Sequence, residues 1–251
     1  MNGKKILGVI PARYASTRLP GKVLADLCGK PMIQHVYERA LRAKCLDGLV
    51  VATDDRRVLD AVRAFAGERA AVITSREHPN GSSRAAEVLE GREADAVINI
   101  QGDEPLLNPA MIDETAEALF SADDVVCSTL CRPLHGEART NPNVVKVVLD
   151  RNGDALYFSR SLIPYPRNTP RVPVYEHIGI YGYRAGFLRR YVALPMTPLA
   201  EAESLEQLKV LENGHKIRTA VTRCTDAGPS VDTPEDLEAV RKILKGEEAP
   251  R

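Results

Sequence analysis

Short, mainly apolar runs alternate with segments of helical periodicity over roughly the first half of this chain. Ile6–Ile10, Leu49–Thr53 and Ala96–Ile100 are such runs, and they are typical of strands buried on both faces of a sheet. The segment from Met32 to Leu41 repeats its apolar residues at helical spacing, with Pro31 suited to the first helical position. This alternation predicts an α/β fold with a mostly parallel sheet and helices on both of its faces.

The same patterns predict the remaining elements. Strands are expected at Ala71–Thr74, Val125–Leu130, Ile178–Tyr183 and Ile217–Val221. Helices are expected from the cap Asp55 to Gly67, at Arg84–Leu89, Pro109–Phe120, Ala185–Ala193 and Ala200–Leu211, and from Thr233 onward.

The pattern changes from about Asn141. Val144–Leu149 and Ala155–Phe158 flank an Arg-Asn-Gly-Asp turn signal, which predicts a hairpin. The stretch from Ile163 to Pro173 is rich in Pro and Arg and predicts an extended excursion. Because no repeat or clear linker interrupts the chain, we predict one domain over residues 1–251 with an antiparallel insert near 155–205.

Composition narrows the class of protein. Lys+Arg and Asp+Glu both count 34 among 251 residues, and a chain without a basic excess is a poor candidate for non-specific nucleic-acid binding. The five cysteines are scattered without a CxxC motif, which favours reduced thiols over zinc sites or disulfides. The apolar run near the N-terminus, about six residues long, is too short for a signal peptide or membrane span. We therefore expect a soluble, cytoplasmic protein that binds neither nucleic acid nor membrane.

A long loop after the first predicted strand carries three cations. About twenty residues separate this strand from the next helix, more than an ordinary connector needs, and they include Arg13, Arg18 and Lys22. The loop lacks a GxGxxG pattern, and Ala15 and Val23 stand where a Walker loop needs Gly and Ser or Thr. A solvated loop that binds nothing is the alternative, but the length and position of the loop favour direct capture of phosphate by Arg and Lys.

Two carboxylates lie where they could bind a metal. Asp103 follows the Ala96–Ile100 strand and Asp232 directly precedes Thr233. Carboxylates at strand ends are usual ligands of Mg²⁺, which needs only one or two of them. A polar turn at Asp103 and helix capping at Asp232 are the alternatives; capping by Thr233 would leave Asp232 available.

Several sequence blocks, in order along nearly the whole chain, carry a family resemblance. They are Ile10–Lys22, Gly29–Ile33, Val51–Asp54, Gln101–Pro105, Asn143–Lys146, Ala155–Arg160, His177–Arg184, Leu205–Leu208 and Val231–Asp236. Together they closely resemble the 3-deoxy-manno-octulosonate cytidylyltransferase family. The first block is shared loosely with other sugar nucleotidyltransferases, whereas Tyr-Phe-Ser-Arg, His-Ile-Gly-Ile-Tyr-Gly-Tyr and Leu-Glu-Gln-Leu are more specific.

The resemblance implies a fold and a reaction. The fold is a Rossmann-like, three-layer nucleotidyltransferase domain with an antiparallel insert that binds sugar and forms a homodimer. The reaction joins CTP to 3-deoxy-D-manno-octulosonate (KDO), giving CMP-KDO and pyrophosphate for lipopolysaccharide biosynthesis. In this family reaction Arg13, Arg18 and Lys22 would hold the triphosphate. Asp103 and Asp232 would hold Mg²⁺, and no side chain stands out as the general base.

The resemblance also implies a sugar site. The residues that match its sugar-contacting positions are Arg84, Gln101, Arg160, His177, Tyr181, Glu206 and Gln207. Without the resemblance, His177 would be a hydrogen-bonded core histidine and Tyr181 would pack against the sheet. Glu206 and Gln207 would lie on the solvated face of a helix.

One loop departs from the family pattern. The family usually has Ser-Gly-Thr, an acidic residue and Arg where this chain has Asn80-Gly-Ser-Ser83-Arg84. The change could alter which sugar is accepted, or it could have no effect.

Three alternatives follow from these observations. The first is a CMP-activating transferase for another acidic sugar, such as 8-amino-KDO, a sialic acid or a legionaminic acid. The second is a non-catalytic nucleotide-binding module of the same fold. The third, a glycosyltransferase, would favour an Asp-x-Asp motif at a strand end, and no predicted strand here ends in one.

Overall fold

The alternating elements expected from the hydrophobic pattern are present in a computed structural model, which describes residues 3–16, 18–168, 172–225 and 228–247. The strands are β1 (Ile6–Pro11), β2 (Asp26–Leu27), β3 (Lys30–Pro31), β4 (Gly48–Thr53), β5 (Ala71–Ile73), β6 (Ala96–Asn99), β7 (Cys127–Pro133), β8 (Lys146–Leu149), β9 (Ala155–Ser159), β10 (Tyr175–Arg184) and β11 (Ile217–Val221). The helices are α1 (Met32–Ala40), α2 (Arg56–Ala66), α3 (Gly81–Val88), α4 (Pro109–Leu119), α5 (Ala185–Ala193), α6 (Pro198–Glu203), α7 (Leu208–Glu212) and α8 (Pro234–Leu244).

The chain divides into two compact units. Unit 1 comprises Met1–Asp113 and Cys224–Arg251, and unit 2 comprises Glu114–Arg223. The single nucleotidyltransferase domain with an insert near 155–205 stays a prediction. Each of the described helices is too short or too polar to cross a lipid bilayer.

Unit 1 contains a parallel sheet in the order β6-β1-β4-β5. Side chains such as Val9, Val51 and Ile98 are fully buried, as expected for strands covered on both faces. The loops after these strands leave from one edge of the sheet because parallel strands share their direction. Gly102 allows the loop after β6 to approach β1 closely, since a Cβ there would lie 2.8 Å from the carbonyl oxygen of Pro11.

Unit 2 contains mostly antiparallel pairs. Strand β10 pairs antiparallel with β7 and β8, β11 pairs parallel with β7, and β8–β9 form the predicted hairpin. The register of β10 shifts between Ile178 and Tyr181, which marks a bulge. Thr129 Oγ1 lies 3.0 and 2.8 Å from the carbonyl oxygens of Ile178 and Ile180, so its hydroxyl can donate to a carbonyl at this irregularity. In the described part of 163–173 no helix or strand forms, and residues 169–171 lie outside the described part.

Helix α3 begins earlier than predicted. It starts at Gly81 rather than near Arg84. The side chain of Asn80 accepts a hydrogen bond from the backbone N–H of Ser83 at 2.8 Å, which is the geometry of an N-cap. The helix therefore begins three residues before the predicted start at Arg84.

The predicted helix Ala200–Leu211 is wrong, because two short helices, α6 and α7, occupy this stretch. Ser204 follows α6 with a φ of 51°. A right-handed helix cannot continue through a residue in this conformation. Glu206 and Gln207 therefore lie between helices rather than on the face of one.

The start of α1 differs by one residue from the prediction. Pro31 is the N-cap of the helix, with ψ of 145°, rather than its first helical residue. The apolar stripe is otherwise confirmed at Met32, Ile33 and Val36, which are fully buried, whereas Leu41 is 57% exposed.

Candidate functional site

Lys22 lies at the centre of an ion-pair cluster in unit 1. Its Nζ donates to Asp103 Oδ2 at 2.7 Å, to Asp232 Oδ1 at 3.0 Å and to the backbone carbonyl of Val231 at 3.1 Å. An ammonium group has three N–H donors, so each has a partner. The side chain is only 14% exposed, and its position is therefore well defined.

The chain brings these two carboxylates together through backbone contacts. The N–H of Val231 donates to the carbonyl of Asp103 at 2.8 Å. Thr233 caps α8, and the carboxylate of Asp236 accepts from the backbone N–H groups of Asp232 and Thr233 at 3.0 and 2.8 Å. This is a capping box. The side chain of Asp232 is thus not the helix cap and is available to the cations.

The two arginines of the same loop have different partners. Arg18 Nη2 lies 3.0 Å from Asp232 Oδ1, with 64% of the Arg18 side chain exposed. Arg13 Nη2 donates to the backbone carbonyl of His78, which orients the guanidinium without cancelling its charge. Among the described residues Arg13 makes no ion pair with a carboxylate. Arg13 is therefore the loop cation whose charge is most available to an anionic ligand.

These groups line an open cavity of about 420 Å³, a size typical of small-molecule sites. The predicted site residues in its wall are Arg13, Arg18, Lys22, Arg84, Gln101, Asp103 and Asp232. Unit 1 thus brings together all the residues predicted for triphosphate and metal, and two of those predicted for sugar. The other predicted sugar residues belong to unit 2.

The pKa of Lys22 reflects opposing effects. Burial alone would lower it, but the charges and hydrogen bonds of Asp103 and Asp232 outweigh burial and raise the pKa above its ordinary value of 10.5. Lys22 is therefore a permanent cation at neutral pH. The charge of Lys22 lies between the carboxylates of Asp103 and Asp232 and reduces the repulsion between them.

Asp103 and Asp232 fit a site for a divalent cation. Each places a carboxylate oxygen within hydrogen-bond distance of the same atom, Lys22 Nζ, so the two oxygens converge. Mg²⁺ takes one or two carboxylates and completes its shell with phosphate oxygens and water. No group of three or more His, Cys, Asp or Glu side chains in the described ranges is arranged to hold a metal. This donor set suits an ion that binds together with a phosphate substrate.

Arg84 is fully buried in unit 1. Its guanidinium donates to Thr74 Oγ1 and to Asp54 Oδ2, the latter at 3.2 Å. Burial lowers the pKa of Arg84; the carboxylate of Asp54 opposes this and the charge of Arg13 adds to it. Asp54 was part of a matching sequence block but received no predicted role, and the structure shows that it holds Arg84 at the cavity wall.

Helix capping accounts for the loop that departs from the family. Asn80 Oδ1 caps α3, and Ser83 Oγ donates back to the carbonyl of Asn80 at 2.9 Å. The family's Ser and acidic residue, three positions apart, have the spacing of a capping box. In this chain the departing residues form the N-cap of α3, and Arg84 lies in the cavity wall.

His177 and Tyr181 form a half-buried aromatic group in unit 2. His177 Nε2 lies 3.0 Å from Thr129 Oγ1, and its ring centroid lies 5.0 Å from that of Phe158 and 5.4 Å from that of Tyr181. Burial lowers the pKa of His177 to about 3 and raises that of Tyr181 well above its ordinary value. Both side chains are thus neutral at pH 7 and suited to hydrogen bonds with hydroxyl groups.

Glu206 and Gln207 occupy the break between α6 and α7. Gln207 is only 6% exposed, and the hydroxyl of Tyr191 donates to the carbonyl of Glu206 at 3.0 Å. The alternative of a solvated helix face therefore does not hold for this segment, and the predicted contact of both residues with the sugar stays a prediction. Local periodicity alone could not show the break.

Acid should destabilise the protein through His177. Its folded pKa of about 3 lies below the ordinary value of 6.5, so the unfolded chain binds a proton in this window that the folded chain does not. Stability should therefore fall as pH drops from 6.5 towards 3, by up to about 1 kcal/mol per pH unit. Melting temperatures at pH 4–6.5 should show a flatter profile for His177→Gln than for wild type. The same change at the exposed His135 is the control, and identical profiles for His177→Gln and wild type would contradict the prediction.

Comparison with known proteins gives consistent likenesses. A family model described as cytidylyltransferase matches residues 7–217. The 3-deoxy-manno-octulosonate cytidylyltransferase of Geobacter metallireducens is 49% identical, over 96% of this chain and 98% of that protein. A solved structure of CMP:2-keto-3-deoxy-manno-octonic acid synthetase complexed with CTP has a TM-score of 0.92 and 46% identity, covering 97% of this chain and 100% of that one. A cytidylyltransferase from Leptospira borgpetersenii, 14% identical with a TM-score of 0.61 over 97% of this chain and 87% of that one, shares the fold. These likenesses confirm the predicted nucleotidyltransferase fold.

Proposed function

This chain belongs to the 3-deoxy-manno-octulosonate cytidylyltransferase family, and from that premise we propose how its own residues divide the reaction. The enzyme transfers the cytidylyl group of CTP to KDO and releases pyrophosphate. The product, CMP-KDO, would serve lipopolysaccharide assembly. The convergence of Lys22, Asp103 and Asp232 in one cavity is the observation on which this division of roles rests.

The loop cations bind the triphosphate of CTP. Arg13, with its uncompensated charge, offers its remaining N–H donors to phosphate oxygens. Lys22 and Arg18 stabilise charge that develops on the α-phosphoryl group and on the leaving pyrophosphate. The cavity that these side chains line supports this assignment.

Asp103 and Asp232 would hold Mg²⁺ together with the substrates. A bound magnesium ion would neutralise phosphate charge and orient the reacting oxygens. The nucleophile is the anomeric hydroxyl of the sugar, which attacks the α-phosphorus as pyrophosphate leaves and gives up its proton to water. With its pKa of about 3, His177 is a poor base at neutral pH, so we assign it a hydrogen-bonding role.

The sugar carries a carboxylate and hydroxyl groups, and different side chains bind each of them. Arg160 binds the carboxylate of the ulosonic acid through its planar fork of donors. Hydroxyl groups are bound by neutral or acceptor groups of unit 2, and the proposed set is His177, Tyr181, Glu206 and Gln207. Arg84 and Gln101, which line the cavity of unit 1, stay predicted sugar contacts.

A pyrophosphate-release assay tests this function. We expect release with CTP, KDO and Mg²⁺, with CTP strongly preferred over UTP, ATP and GTP, and little release when EDTA is added. A panel of acceptors should place KDO ahead of 8-amino-KDO, sialic acid and legionaminic acid. Absence of release with every nucleotide would refute a catalytic role, whereas release with another acidic sugar but not KDO would refute the acceptor.

We also propose that the enzyme is a cytoplasmic homodimer assembled through the region near 155–205. Leu156, Tyr165 and Met196 are 63%, 83% and 50% exposed, and large exposed apolar side chains are characteristic of interfaces. The five cysteines, all among the described residues, form no disulfide, which suits a reducing compartment. A molar mass of one chain in light scattering would contradict the dimer.

A further inference from the structure

The guanidinium of Arg160 is held by uncharged groups. Its Nε donates to the backbone carbonyl of Glu203 at 2.8 Å, and its Nη1 donates to that of Pro142 at 3.1 Å. Such bonds fix the plane of the guanidinium without an opposing charge. The side chain is half-buried and keeps further N–H donors for a ligand. It is therefore oriented, yet still fully cationic towards an incoming carboxylate.

Glu203 contacts both the backbone and the side chain of Arg160. Glu203 Oε1 accepts from Ser159 Oγ at 2.6 Å, and Oε2 accepts from the N–H of Arg160 at 2.9 Å. Glu203 is also the last residue of α6, before Ser204 in its left-handed conformation. Its carbonyl thus has no helical N–H partner and accepts from the Arg160 guanidinium instead. Glu203 therefore holds Arg160 through the Glu203 carboxylate and through the Glu203 main-chain carbonyl.

A buried lysine contacts the backbone carbonyl of the same residue. Lys146 is 0% exposed, and its Nζ donates to the carbonyls of Asn141 at 3.0 Å, Val144 at 2.7 Å and Arg160. The first two carbonyls flank Pro142, whose own carbonyl is the second acceptor for Arg160. One carbonyl that orients the guanidinium thus belongs to Glu203. The other belongs to Pro142, and Lys146 holds the backbone segment around it.

The cluster formed by Lys146, Arg160 and Glu203 has an excess of positive charge. Lys146 and Arg160 carry two positive charges, and Glu203 carries one negative charge. Burial lowers the pKa of Lys146; Glu203 opposes this, and the charge of Arg160 adds to it. The cluster therefore lacks one negative charge, which a monocarboxylate ligand would supply.

We propose that Glu203 is a positioning residue that orients Arg160 for the carboxylate of the sugar. This inference rests on the proposed function, in which Arg160 binds that carboxylate. Sequence comparison with the family motifs did not point to Glu203, because it lies just outside the Leu205–Leu208 block.

Steady-state kinetics with each substrate varied in turn tests the proposal. Glu203→Ala should raise KM for KDO by on the order of tenfold, because a misaligned guanidinium loses much of a charge-assisted hydrogen bond. KM for CTP should change by less than about twofold, since no triphosphate contact is altered. Glu201→Ala, an exposed change on the same helix, is the matched control and should resemble wild type.

A double-mutant cycle separates positioning from general damage. In an Arg160→Met background, Glu203→Ala should cause no further rise in KM for KDO, because Glu203 acts through the missing guanidinium. An equal rise for both substrates, or the same further rise in the Arg160→Met background, would overturn the proposal. If circular dichroism shows that Glu203→Ala does not fold, Glu203→Gln is used instead. This change keeps the shape of the side chain and one acceptor, and a smaller rise in KM, confined to KDO, is expected.

The same kinetics distinguish failure of the proposed function from failure of the positioning role of Glu203. A wild-type enzyme that releases no pyrophosphate from CTP and KDO would refute the proposed function. An active wild type, together with a folded Glu203→Ala whose KM for KDO is unchanged, would refute the positioning role alone.

Discussion

Asp103→Asn is expected to lower kcat by on the order of a hundred- to a thousandfold, the largest effect we expect from an isosteric change in this protein. Asn keeps the shape and one acceptor oxygen for Lys22 Nζ, which lies 2.7 Å from Asp103 Oδ2 in the wild type. It removes the negative charge that Mg²⁺ requires of its protein ligand. The loss should therefore fall on the chemical step, while the fold is retained.

The measurement is pyrophosphate release at saturating CTP and KDO over a range of Mg²⁺ concentrations. The variant should need a higher Mg²⁺ concentration for half-maximal rate. Binding of Mn²⁺ in the presence of CTP, followed by its paramagnetic resonance signal, should weaken in parallel. Asp60→Asn, on the exposed face of α2, is the control. Full turnover by Asp103→Asn at low Mg²⁺ would show that Asp103 is not a metal ligand.

Lys22→Met should reduce kcat/KM for CTP by a comparable factor, again on the order of a hundred- to a thousandfold. The change removes a cation that contacts both Asp103 and Asp232 at 2.7 and 3.0 Å. Asp103 and Asp232 would then face the anionic triphosphate without the charge of Lys22, so both binding and transition-state stabilisation should weaken. Lys22→Arg keeps the charge but not the compact three-donor geometry, and only partial activity is expected.

Calorimetric titration of CTP into the sugar-free enzyme separates the binding part of this effect. Lys44→Met, at an exposed position of unit 1, is the matched control. The pKa of Lys22 is raised above its ordinary value of 10.5 in the folded protein, so its ion pairs stabilise the fold at neutral pH and are lost as pH rises through the folded pKa. A melting temperature difference between wild type and Lys22→Met should therefore shrink in strongly alkaline buffer. Unchanged CTP affinity in the variant would contradict the role assigned to Lys22.

Local patterns predicted much of the fold. Strands such as β1 and β4 were identifiable because burial on both faces requires a continuous apolar run. Thr233 and Pro234 marked the start of α8 because capping chemistry acts over a few neighbouring residues. The break after α6 was missed, since a serine at φ 51° carries none of the usual signal of a glycine or proline.

The sequence by itself determined the positions of the main strands, the cationic loop of Arg13, Arg18 and Lys22, and the family. Periodicity, composition and ordered motifs are properties of neighbouring residues, so they can be recognised without coordinates. The tertiary structure alone decided that the Asp232 carboxylate faces Lys22, and that Glu203 holds Arg160. These outcomes depend on hydrogen bonds between residues far apart in the chain, where a carboxylate has several possible partners and only the folded geometry selects among them.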